Sequence, residues 1–94
     1  MEVKIEESGS KGFAIATENG KTAGKMTYSI SSADLIIIDH TEVEDAFGGQ
    51  GVGKQLLYKI VAMAREKEVK IMPLCPFAAA MFKKLDDIQD VLKK

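Results

Sequence analysis

Phe47-Gly48-Gly49-Gln50-Gly51-Val52-Gly53-Lys54-Gln55 is the stretch that decides how this chain is read. It places four glycines within six residues. Upstream lies the apolar run Leu35-Ile36-Ile37-Ile38, which reads as a strand. Downstream, Val52, Leu56, Leu57, Ile60, Val61 and Ala64 recur at the spacing of an amphipathic helix, predicted over residues 50–67. Glycine has no Cβ, so a loop of this composition can take positive φ and bring backbone N–H groups close to a ligand. The first turn of the following helix leaves its N–H groups unpaired at the positive end of the helix dipole. Strand, glycine loop and helix start together predict an anion site, suited to phosphate, over Gly48, Gly49, Gln50, Gly51, Val52, Gly53 and Lys54. Lys54 falls in that first turn, where a cation opposes the dipole unless an anion is bound. Without a ligand, the same segment is a glycine-rich turn.

Working outward from the loop, the N-terminal side is strand-like throughout. Residues 2–7 alternate charged and apolar side chains, with Val3 and Ile5 on one face. Residues 8–12 form a turn, residues 13–17 a second strand, and Glu18-Asn19-Gly20 carries an Asn-Gly hairpin signal. Residues 23–30 alternate again, with Met26, Tyr28 and Ile30 on one face. Residues 35–43 open with four consecutive apolar side chains, which predicts a strand covered on both faces. On the C-terminal side, residues 69–72 make a short strand stopped by Pro73, and residues 77–85 and 86–92 read as two short helices. The expected fold is a single α/β domain of the α+β type over residues 1–94. It has a mostly antiparallel sheet of about five strands, a central strand–glycine loop–helix–strand unit giving one parallel pairing, and short C-terminal helices.

Composition narrows the classes of function. With 94 residues, 46% hydrophobic and 29% charged, the chain suffices for one compact core and is neither disordered nor a coiled coil. No apolar run approaches the roughly 20 residues that span a bilayer, so no membrane role is expected. Cys75 is the only cysteine, which leaves no disulfide framework and no cysteine-based zinc cluster; no metal is expected. The charged, alternating N-terminus has no signal-peptide pattern, and a cytoplasmic location is expected. Residues 1–47 hold four lysines against nine acids, and residues 48–94 hold nine basic residues against five acids. That split is too mild for nucleic-acid binding, but it puts any anionic ligand on the C-terminal half.

Two nucleotide-binding patterns compete for the loop. Residues 48–54 fit G-x-x-x-x-G-K, yet Gln55 stands where Ser or Thr would hold magnesium, and the Leu35–Asp39 run lies on the wrong element for the second metal-binding strand. A dinucleotide fingerprint fails because Gly49-x-Gly51 is followed by Lys54 rather than glycine.

Taken in order, three segments resemble the GNAT superfamily of N-acetyltransferases, and in particular its minimal single-domain members. They are His40-Thr41-Glu42-Val43, Gly49-Gln50-Gly51-Val52-Gly53 and Pro73-Leu74-Cys75-Pro76-Phe77, and the likeness extends from about residue 12 to the end. The resemblance implies acetyl-CoA as co-substrate and an amine as acceptor. It implies that Gly48 to Lys54 hold the pyrophosphate, that Thr41 and Val43 lie along the pantetheine arm near a bulge of the fourth strand, and that a gap between the fourth and fifth strands admits the arm beside Cys75. It also implies that Lys83 and Lys84 reach the outer phosphate, although a solvated helix face accounts for them equally well. Three departures accompany the likeness. Gly48 stands where members of the superfamily commonly carry Arg or Gln, Ala80-Met81-Phe82 offers no tyrosine hydroxyl for the leaving thiolate, and only residues 8–12 separate the first two strands, leaving no room for acceptor-binding helices.

Acetyl transfer to an amine needs a base, an oxyanion donor and a leaving thiol. His40 is the only histidine, and imidazole titrates near neutral pH, so it is a candidate base. Glu42, two residues along, is a second, on the same strand face if pairing is regular. Each is equally at home as a solvated strand-end side chain. Cys75 is either an acetyl carrier in a double displacement or a small buried side chain beside the thioester. Direct transfer requires fewer special groups and is the expected route. The competing reading is a non-catalytic acyl-CoA-binding or interaction module with the same cleft. The acceptor, a small molecule or a peptide, is not specified by these residues.

Overall fold

The computed structural model describes residues 1–94. Its elements are β1 (Glu2–Ser8), β2 (Lys11–Glu18), β3 (Lys21–Ser32), β4 (Leu35–Val43), α1 (Val52–Lys67), β5 (Lys70–Pro73) and α2 (Pro76–Lys84), with 3-10 segments at Asp45–Phe47 and Asp86–Val91. The five strands lie in the sheet in chain order. β1 to β4 form an antiparallel meander, and β5 joins β4 in parallel through α1. This is the expected α+β architecture. The second C-terminal helix expected over residues 86–92 is a 3-10 segment instead. Its chain closes the sheet edge, where Leu92 bridges Ile71 and the Lys93 N–H donates to the Ile71 carbonyl at 2.9 Å.

One face of the sheet is the core. Ala14, Ala16, Met26, Tyr28, Ile36, Ile38 and Ile71 are at most 3% exposed and meet Val52, Leu56, Leu57, Ile60, Val61 and Ala64 of α1 and Ala78 and Phe82 of α2. Burial of each large aliphatic side chain contributes about 1.5–3 kcal/mol, so the apolar stripe rather than helix propensity holds α1 in place. Gly24 lets α1 approach β3, because a Cβ there would lie 2.8 Å from Val52 Cγ1 and from the Glu42 carbonyl oxygen.

The expectation that residues 35–38 are covered on both faces is corrected. Ile36 and Ile38 are buried, whereas Leu35 and Ile37 are half-buried. Both helices of this short chain bury their apolar residues in the cluster on one side, so the opposite face has no helical layer.

The far end of the sheet carries a cross-strand staple. Glu7, Gly12 and Tyr28 face one another on β1, β2 and β3. The fully buried Tyr28 ring lies across Gly12, where a Cβ would meet its Cζ at 2.5 Å, and its hydroxyl donates to Glu7 Oε2 at 2.5 Å. Lys67, at the end of α1, stands 3.4 Å from the same carboxylate. The tyrosine hydrogen bond and the lysine charge hold the Glu7 carboxyl below the usual carboxylate range, while burial and that carboxylate push the Tyr28 phenol above the usual tyrosine range.

Candidate active site

The glycine loop emerges as a cradle of unpartnered donors. Gly49 and Gly51 take φ of +81° and +70°, the left-handed region that the glycines make accessible. The amides of Gly48 and Gln50 close back onto Asp45 and Phe47, and that of Gln55 onto Gly51. The amides of Gly49, Gly51, Val52, Gly53 and Lys54 donate to no protein acceptor. They sit at the start of a 16-residue helix with no acidic residue in its first turn, so the dipole is uncompensated there. A cavity of about 270 Å³ opens over this end, lined by Val43, Phe47, Gly49, Gly51, Gly53, Val52, Lys54, Phe77 and Met81. Phe77 packs so closely on Gly53 that a Cβ there would lie 2.5 Å from the ring.

Beside the loop, the sheet splits. β5 ends at Pro73 opposite Ile38, while β4 runs on to Val43, and the amides of Leu74 and Cys75 both donate to the Ile38 carbonyl at 3.1 Å. Beyond that point the outer edge of β4 has no strand beside it. Cys75 leaves the split as the N-cap of α2. Its sulfur accepts from the Ala78 amide at 3.4 Å, and Pro76 occupies the first helical position, where the missing N–H has no consequence.

A bulge in β4 sorts the candidate residues onto two sides. Thr27 pairs with His40 and Tyr28 with Ile38, so Asp39 is the extra residue and the face alternation shifts by one. Thr41, opposite the buried Met26, therefore points to the core side, where its Oγ1 lies 3.1 Å from the sulfur of Cys75, itself 4% exposed. Val43 faces the same side and lines the loop cavity. His40 and Glu42 pair with Thr27 and Lys25 on the opposite face, where His40 Nε2 and Glu42 Oε1 are 3.1 Å apart and both side chains are 65% exposed. The structure thus brings together Thr41 with Cys75 and His40 with Glu42, but it does not bring the two pairs onto one face.

A sequence profile described as GCN5-related N-acetyl-transferase matches residues 12–91. The chain belongs to the GCN5-related N-acetyltransferase family. Among solved structures, it is similar to a GCN5-like protein from Staphylococcus aureus, solved in solution by NMR, at 41% identity and a TM-score of 0.71, over 96% of this chain and 87% of that one. It shares its fold with the ribosomal-protein-S18-alanine N-acetyltransferase of Escherichia coli, at 19% identity and a TM-score of 0.72, over 85% of this chain and 54% of that one. It also shares it with a GNAT acetyltransferase from Elizabethkingia anophelis solved with acetyl-CoA bound, at 20% identity and a TM-score of 0.65, over 80% and 52%. The chain spans about half the length of these last two. No curated protein matches it.

Within this GCN5-related fold, the two lysines of α2 part company. Lys84 follows Phe77 and Met81 at helical spacing, on the face that lines the loop cavity, whereas Lys83 lines a separate cavity with Pro73, Ala79, Phe82, Asp86, Gln89 and Leu92. Lys54 leans over the Tyr58 ring, 5.9 Å from its centre. Phe47, Phe77 and Met81 also line the loop cavity, and nothing in their residue type marks them for it. The signal for the last two was the i, i+4 spacing from a helix start fixed by Cys75-Pro76. No helix is long and apolar enough to cross a membrane, and no group of three potential metal ligands is present.

Proposed function

We propose that this chain is an acetyl-CoA-dependent N-acetyltransferase that moves the acetyl group directly to an amine. The observation that carries the reading is the set of five unpartnered amides at the glycine loop and α1 start, opening onto the side of the sheet where β4 and β5 part. These donors fit a pyrophosphate, and the unpaired edge of β4 beyond Ile38 fits an extended amide-bearing arm. Acetyl-CoA supplies an activated thioester carbonyl. In this reading the free amides of Gly49, Gly51, Val52, Gly53 and Lys54 hold the phosphates, and Gly48 and Gln50, whose amides are bonded to Asp45 and Phe47, shape the loop around them. Thr41 and Val43 flank the arm, and Lys84 rather than Lys83 is near enough in helix phase to reach an outer phosphate. Cys75, held by Thr41, stands beside the thioester.

The amine approaches from the other face, where the His40–Glu42 pair takes its proton. The nitrogen bonds to the acetyl carbon, the carbon–sulfur bond breaks, and CoA leaves as a thiolate that takes its proton from solvent. Water is kept from the thioester on the core side by Cys75, Thr41, Phe77 and Met81. A non-catalytic acyl-CoA module remains the second reading, favoured by the absence of a hydroxyl on Ala80, Met81 or Phe82.

Calorimetric titration with acetyl-CoA, with magnesium-ATP as the control, tests the reading. Micromolar binding of acetyl-CoA without magnesium is expected, followed by CoA release when an amine acceptor is added. Binding without any CoA release over hours would favour the module, and ATP binding in its place would overturn the proposal.

A further inference from the structure

The face of the sheet that carries His40 and Glu42 is bare. Two rows cross it: Glu6, Phe13, Thr27 and His40, then Lys4, Ile15, Lys25 and Glu42. Phe13, Ile15, Leu35, Ile37 and Met72 leave apolar surface half open there, and Lys25 folds over the Phe13 ring at 4.3 Å. At the split itself Leu74 is 63% exposed. No cavity of the molecule is lined by Phe13, Ile15, Thr27, Lys25, His40 or Glu42. Sites for small ligands are concave and bury most of the ligand, whereas an apolar patch ringed by charge suits a macromolecular partner. Strands lie about 4.8 Å apart, so the patch from β2 to β4 is about 10 Å across, the width of an extended peptide with its side chains. The end of β4 nearest the split is acidic: Glu42, on this face opposite Lys25, and Glu44 and Asp45 just beyond the strand are exposed, and none has a lysine or arginine within ion-pair distance.

Resting on the acetyltransferase reading, we infer that the acceptor is a lysine-bearing polypeptide of basic character, laid across the bare sheet face so that its amine meets His40 and Glu42. The occupant follows from two features together. The proton-accepting pair lies on a surface with apolar footing and no enclosure, and the acidic end of β4 attracts cationic chain and repels acidic chain. A free small amine has no pocket here to hold it.

The probe is an unstructured 20-residue lysine–alanine–glycine peptide with a blocked N-terminus, compared with spermidine and a single blocked lysine at equal amine concentration. Titrated into the protein without acetyl-CoA and followed by amide NMR, the peptide shifts Phe13, Ile15, Thr27 and His40, and the small amines do not. With acetyl-CoA present, kcat/KM per amine is at least tenfold higher for the peptide. Ile15→Lys lowers the peptide's kcat/KM threefold to tenfold and Lys25→Glu raises it, each with unchanged acetyl-CoA affinity. The opposed directions keep the test sharp if one variant folds poorly. Equal or better turnover of the small amines, an absence of shifts on this face, or indifference to both charge changes overturns the inference. The NMR titration needs no acetyl-CoA, so failure of peptide docking is told apart from failure of the cofactor reading.

Discussion

Gly51→Asp separates binding from folding at the loop. Gly51 caps α1 with φ +70° and ψ 26°, and no heavy atom lies within 4 Å of where a Cβ would sit. The new side chain therefore meets no obstacle, and its effects are conformational and electrostatic. The left-handed conformation costs a non-glycine residue about 1–2 kcal/mol, less for aspartate, which visits this region readily. Against that, a carboxylate beside the unpartnered amides and the helix dipole contributes about 0.5–2 kcal/mol as a cap. The two nearly cancel, so the melting temperature moves by no more than about 4 °C.

The bound state is affected far more. With a separation of about 5 Å and an effective dielectric of about 40, each pair of like unit charges repels by about 1.7 kcal/mol. Two phosphate charges at unequal distances give about 2–3 kcal/mol, or roughly 30- to 150-fold weaker acetyl-CoA binding. The carboxylate also engages amides that the phosphates would use. Calorimetry at low salt with a parallel thermal melt is the assay, and raising the salt should shrink the difference. A folded variant that binds acetyl-CoA within threefold of the parent would refute the placement of the phosphates at this loop.

Gly12→Ala forces a methyl group into the buried Tyr28 ring and parts its hydroxyl from Glu7. Urea unfolding should show a loss of about 2 kcal/mol or more, at the upper end of overpacking effects, and a loss under 0.5 kcal/mol would show that the ring can move. Glu7 has a lowered folded-state carboxyl value, so its contribution is fully present above the unfolded value near 4.5 and disappears as pH falls through the folded value. Glu7→Gln should therefore cost about 1 kcal/mol at pH 7 and flatten the decline in stability below pH 4.5. Cys75→Ala should retain both acetyl-CoA binding and transfer, whereas Glu42→Gln together with His40→Ala, on the opposite face, should lower kcat about 100-fold with acetyl-CoA affinity unchanged. Loss of transfer in Cys75→Ala, with acetyl-CoA still bound, would point instead to a covalent route.

Most of the architecture is written in local pattern. Period-two alternation at Val3 and Ile5 and at Met26 and Tyr28 marks half-buried strands, and Asn19-Gly20 turns between two of them with both residues at positive φ. The stripe from Val52 to Ala64 marks the face of α1 that docks, and the glycines flanking Gln50 mark the loop. These signals depend only on neighbours in the chain, because backbone sterics and the burial of one face act over a few residues. The separation of Lys84 from Lys83 was likewise available from helix phase, although residue type alone groups them.

The tertiary structure decided what each candidate residue faces. No glycine or proline in Asp39-His40-Thr41 marks the bulge; the family resemblance points to one on the fourth strand but does not say which residue is extra or which way its neighbours turn. The bulge arises from the register that β3 imposes on β4, yet it alone turns Thr41 toward Cys75 and leaves His40 on the other side. The half-open state of Leu35 and Ile37 was equally invisible. An unbroken apolar run says that burial is favourable, but only the packing of the whole chain settles how many layers there are to provide it. Residue identity and spacing determined that a strand, an anion-binding loop and a helix follow one another. Strand pairing between residues distant in sequence determined which side of the sheet each reactive group serves.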